Sequence, residues 1–174
     1  NYKLISLWRN PIELVFSWWK RNWGTRFFDR DPSNFTIQIN RFGASAPWYC
    51  HDINIEMSKH SPAERCLIIV DHLLRKALDG YKNAINKEKI LHLRFESLCS
   101  NTSEEINKLT KFLNCEQTEH TKKQLIEANF PRLIKEEDII NKFNSLKAEL
   151  SKEYSQKLAE LQDKYMKNLF GLEN

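Results

Sequence analysis

The residues with the clearest chemical potential stand together in Trp8-Arg9-Asn10-Pro11-Ile12-Glu13. Arg9 closes a short apolar run, Lys3 to Trp8, that suits a strand in a covered sheet. Asn10 is a good helix N-cap, Pro11 fits the first helical position, and Glu13 puts a carboxylate in the first turn. A strand that ends in Arg and hands over to a capped helix is, in physical terms, an anion site. The helix start offers unpaired N–H groups and the positive end of its dipole, and Arg adds a planar fork that is always charged. Ser17 lies seven residues beyond Asn10. Steps of about 100° each return it to the same helix face, about 10 Å along the axis. Arg9 and Ser17 could therefore grip one phosphate from two sides. The competing reading is that Arg9 pairs with a nearby carboxylate and Ser17 only packs.

The elements that position these residues follow from periodicity and capping. A helix is expected over about Ile12–Trp23, with Leu14, Val15, Trp18 and Trp19 as its apolar face and Gly24 as its stop. Asp29 to Pro32 reads as a turn cluster. Phe35 to Ile39 alternates, as a short strand or a helical turn, and Arg41 to Ser58 reads as a long irregular segment carrying Trp48 and Tyr49. Those two aromatics could stack on an acceptor or lie in the core. Ser61-Pro62-Ala63-Glu64 is a capping box opening a helix that runs to about Ile85. Lys89–Phe95 reads as a second strand, Asn101 starts another helix, and a shorter one covers Glu119–Ala128. A single last helix is expected from about Glu136 to Leu169, with apolar residues at steps of three and four. The order is α/β with helical predominance.

Two stretches resemble one family. Leu7-Trp8-Arg9-Asn10-Pro11-Ile12-Glu13-Leu14-Val15-Phe16-Ser17-Trp18 is similar to the 3′-phosphate-binding motif of the sulfotransferases, in which Ser follows the Arg by eight positions. Ile90-Leu91-His92-Leu93-Arg94-Phe95-Glu96-Ser97-Leu98 resembles that family's strand ending in Tyr-Glu-Asp-Leu, and the following helix ends in Phe112-Leu113 as the family's does. Ser17 to Gly24 has the character of the bacterial members. The resemblance covers residues 2–115 well and the helical tail loosely.

The resemblance implies a P-loop NTPase-like sulfotransferase fold, helix-rich, with 3′-phosphoadenosine 5′-phosphosulfate as donor and a hydroxyl on a small molecule or glycan as acceptor. It implies that Arg9 and Ser17 hold the 3′-phosphate and that Phe95 packs near the adenine without the usual Tyr hydroxyl; Arg132 in Phe130-Pro131-Arg132 is either a second phosphate ligand or a surface Arg after a helix break. Ser97 replaces the usual Asp, and Glu96 is expected to tie the strand end to a neighbouring backbone. The family's 5′-phosphosulfate loop and general base would precede the Arg-Asn-Pro strand. The chain is therefore expected to be a C-terminal portion, with more strands upstream of Asn1. Catalytic residues are then expected outside it, and these 174 residues alone are not expected to transfer sulfate. Residues 1–134 would belong to the α/β domain, and 135–174 to a long amphipathic helix packed on it.

Composition narrows the alternatives. With 41% hydrophobic and 29% charged residues, only 4 Gly and 5 Pro, disorder is excluded and the composition argues against a turn-rich all-β fold. A mean hydropathy of −0.61 with no long uncharged apolar run leaves no membrane span. A net charge of +4 permits an anionic ligand without pointing to nucleic acid. The 4 cysteines lack metal spacing and read as reduced thiols, no metal is expected, and the compartment reads as cytoplasmic. The sequons at Asn34 and Asn101 are weak pointers to a lumenal protein. Two other readings remain at this level: a non-enzymatic helical interaction module whose tail pairs with a partner, including a second copy, and another P-loop-like nucleotide-binding enzyme.

Overall fold

The computed structural model describes residues 2–26, 37–41 and 44–167. The turn cluster expected at Asp29 to Pro32, the sequon at Asn34 and the end of the last helix at Leu169 lie outside the described residues.

Strand β1 (Leu4–Trp8) leads into α1 (Pro11–Lys20). The Asn10 side chain caps α1 by accepting from the N–H groups of Ile12 and Glu13. The helix stops early, because Asn22 takes a left-handed backbone, φ 59°. Gly24, expected as the stop, instead sits inside the short α2 (Trp23–Arg26), where it lets that turn approach the next helix. A Cβ there would stand 1.9 Å from the Pro62 carbonyl oxygen. A hairpin of β2 (Gln38–Arg41) and β3 (Ala44–Pro47) follows, so the segment expected to be irregular begins with paired strands. Single 3-10 turns at Trp48–Cys50 and Met57–Lys59 then bury Cys50, Ile53 and Met57 against Ile68 and Ile69. Tyr49 is half-buried beside them, and Trp48 is exposed.

Helix α3 (Pro62–Lys82) carries the expected capping box, with Ser61 and Glu64 satisfying each other's backbone. Strand β4 (Ile90–Arg94) pairs parallel to β1 in the register Leu4↔Ile90 to Trp8↔Arg94. Next come α4 (Phe95–Ser100), α5 (Thr102–Leu113) and α6 (Glu119–Glu127). The expected single tail helix is two: α7 (Glu136–Lys147) and α8 (Lys152–Met166). The break has a tertiary cause. Glu64 Oε1 accepts from the Ser151 N–H at 3.0 Å, and the Ser61 hydroxyl donates to the Glu149 carbonyl at 2.9 Å. The start of α3 thus clasps the α7–α8 turn.

The main core joins α1, α3, α7 and α8 through Ile12, Val15, Leu67, Val70, Leu146 and Leu158. The tail residues that suggested a partner helix are covered by this chain itself. Leu146, Leu150, Leu158, Leu161 and Tyr165 are all buried. The expectation of a covered strand at β1 is not met. Leu4 and Leu7 are 50% and 54% exposed, because β4 is its one partner among the described residues and α3 faces it across a cavity of about 210 Å³. All four cysteines are free thiols. Burial pushes Cys50 and Cys66 up to about 12, so neither is a thiolate near neutrality. No helix among the described residues is long and apolar enough to cross a membrane.

Candidate functional site

Parallel pairing brings the ends of β1 and β4 side by side, and both chemistry-bearing segments emerge there. Helices α1 and α4 start from these adjacent ends, so Arg9 and Phe95 become neighbours although distant in sequence. The Arg9 guanidinium lies 4.9 Å from the Phe95 ring centroid. Arg132 reaches the same ring at 5.5 Å and the Phe130 ring at 5.1 Å. Its backbone N–H is fixed by a 2.9 Å bond to the Cys99 carbonyl at the end of α4. The structure therefore gathers three of the four residues singled out in the sequence, Arg9, Phe95 and Arg132, around one aromatic ring. Ser17 stands two turns further along α1, half-buried. Among the described residues no hydrogen bond ties its side chain to the other three.

The start of α1 is not the free anion site that the sequence suggested. Asn10 already occupies the N–H groups of Ile12 and Glu13, Pro11 has none, and Leu14 N–H bonds to the Asn10 carbonyl. The Asn10 N–H itself donates to Glu96 Oε1 at 2.9 Å. The N–H groups of Ile12, Glu13 and Leu14 are therefore not open to an anion. Through its bond to Asn10, Glu96 makes the backbone tie expected of it, and its other oxygen accepts from the Tyr165 hydroxyl of α8. Burial and the Glu96 carboxylate both push the Tyr165 phenol up, so it stays a donor. Arg94 completes this junction by donating to the Tyr165 carbonyl at 3.2 Å and stacking on its ring at 4.3 Å.

Arg9 does pair with a carboxylate. Its Nη2 donates to Glu13 Oε2 at 3.1 Å, while the Lys142 ammonium from α7 bonds Glu13 Oε1. The Arg9 Nε is buried and has no hydrogen-bond partner. The guanidinium of Arg132 makes no hydrogen bond or ion pair among the described residues. Two cations, Arg9 and Lys142, thus share the Glu13 carboxylate, while Arg132 stands over the Phe95 ring that Arg9 also meets. Both guanidiniums lie against the one ring, as cations favour an aromatic face.

Glu13, Lys142 and Tyr165 were not assigned to the site from sequence. Glu13 was detectable, since it lies four residues after Arg9, the spacing at which helical side chains pair. Lys142 and Tyr165 carry no local signal, because both act across long sequence separations. An open cavity of about 730 Å³ adjoins the junction, lined by Ile12, Arg94, Glu96, Phe143, Gln162 and Tyr165 among others. Among the described residues no group of His, Cys, Asp and Glu is arranged to hold a metal ion.

A family model described as "Sulfotransferase domain" matches residues 1–171 of the chain. No curated protein and no solved structure matches it.

Proposed function

Because the chain belongs to the sulfotransferase domain family across residues 1–171, we propose that its Arg9–Phe95–Arg132 cluster holds the 3′-phosphoadenosine end of 3′-phosphoadenosine 5′-phosphosulfate. On this reading the protein serves sulfonate transfer from that donor to a hydroxyl of a small-molecule or glycan acceptor. The observation that carries it is the pair of guanidiniums, Arg9 and Arg132, sharing the Phe95 ring at the adjoining ends of β1 and β4. A 3′-phosphate supplies acceptors for the Arg132 fork and for the part of the Arg9 guanidinium that stays exposed beside its single bond to Glu13.

The residues have separable tasks. Arg9 and Arg132 bind the phosphate. Ser17 adds a hydroxyl donor from the same face of α1. Phe95 offers an apolar face to the base but no hydroxyl, so it selects by stacking rather than by hydrogen bonding. Glu96 and Asn10 lock the two strand ends so that Arg9 and Phe95 keep their spacing. The donor's phosphosulfate supplies the sulfonate that is transferred, and the groups described here bind and orient its nucleotide end. We read residues 1–134 and 135–174 as one domain, with α7 and α8 as the outer wall of the site.

Calorimetric titration with adenosine 3′,5′-bisphosphate against adenosine 5′-phosphate tests the reading. Tighter binding of the bisphosphate is expected, with the difference falling at least tenfold in Arg9→Ala, about 1.4 kcal/mol or more, and by less in Ser17→Ala. Equal affinity for the two nucleotides in the unaltered chain would sink the 3′-phosphate assignment.

A further inference from the structure

Glu13 poses a problem for an anion site, because a carboxylate on the key arginine competes with any phosphate. Its side chain is only 9% exposed, so water screens it little. An Arg and a carboxylate left alone favour a two-pronged pair that occupies both carboxylate oxygens. In this protein that pair is not formed: Oε1 bonds the ammonium of Lys142, 129 residues away in sequence, and Arg9 meets only Oε2. Arg9 therefore holds Glu13 through one nitrogen, at 3.1 Å, and its Nε remains without a partner.

From this geometry we propose that Lys142 is a positioning residue for the 3′-phosphate site. It shares the Glu13 carboxylate and so keeps the Arg9 fork from closing onto Glu13. The inference rests on the reading of Arg9 given above. Helix α7 thereby becomes part of the nucleotide site without touching the nucleotide. Two effects follow from the shared carboxylate. Lys142 cancels much of the Glu13 charge that would repel a phosphate, and it fixes Glu13 so that the Arg9 guanidinium stays over Phe95.

The test is a double-mutant cycle read by calorimetry with adenosine 3′,5′-bisphosphate and adenosine 5′-phosphate. Lys142→Ala is expected to weaken the bisphosphate about tenfold and to leave the monophosphate unchanged. Lys142→Met keeps the packing of the side-chain stem and is expected to repeat that result, while Lys142→Arg restores binding. In a Glu13→Gln background, removing Lys142 is expected to cost less than about twofold, because the charge it offsets is gone. An undiminished loss in that background would mean that Lys142 acts on the phosphate directly, and the relay would be wrong. Equal losses for both nucleotides, or no loss for either, would also overturn it. If the unaltered chain binds the two nucleotides equally, the parent assignment of Arg9 fails first and carries this one with it.

Discussion

A single proton on His92 bears on the seam between the two strands that build the site. The Trp8 indole N–H donates to His92 Nδ1 at 3.0 Å, so this bond needs that nitrogen unprotonated. Burial lowers the His92 pKa from its ordinary 6.5. The folded chain therefore resists a proton that the unfolded chain accepts. The stabilisation is complete above the unfolded value and is lost as pH falls through the folded one. Melting temperature is expected to drop between about pH 7 and pH 5, and His92→Asn to flatten part of that drop. Identical slopes in both proteins would show that His92 contributes nothing to it. At this scale the sequence was informative wherever partners are local. Asn10 as cap and the Ser61–Glu64 box are where their spacing puts them. Arg9 over Phe95 could be reached only by resemblance, because 86 residues separate the two and no periodicity links them.

Among the elements, α2 depends on one missing methyl group. Gly24 lies so close to Pro62 that a Cβ would overlap backbone, which cannot move aside as a side chain can. Gly24→Ala is expected to cost about 2 kcal/mol, or roughly 4–8 °C in melting temperature at this length. Gly80→Ala on α3, where nothing stands within 4 Å, is the control, and a gain of about 0.5 kcal/mol is expected there. Equal effects at both glycines in thermal unfolding would refute the close-approach account. The same contrast explains what could be read of the helices. Glycine signals a helix stop and a close approach alike, and composition does not separate the two. The break between α7 and α8 was invisible for a related reason. The apolar spacing continues through it, and the groups that impose it, Ser61 and Glu64, belong to another helix.

Across the whole molecule, the core depends on its last third. Leu146 and Leu158 are fully buried against Ile12, Val15 and Leu67, so the helix that presents Arg9 is walled by α7 and α8. A chain ending at residue 134 is expected to lose its cooperative thermal transition, and Leu158→Ala to cost about 3 kcal/mol. A sharp transition at the original temperature in the shortened chain would show the tail to be a separate unit. The α/β class with helical excess was legible from the order of apolar runs and caps. The two-strand pairing was not, because register between strands so far apart is decided by the packing of everything between them.

That pairing also has a consequence in time. Leu4 meets Ile90, 86 residues later in the chain. A ribosome adding about 5–20 residues per second delivers β4 on the order of ten seconds after β1. Helix α3 closes through contacts within itself, whereas the β1 edge that receives β4 cannot be paired until β4 arrives. During synthesis, then, the edge of the strand that leads to Arg9 is open to chaperones and to misplaced strands for that interval.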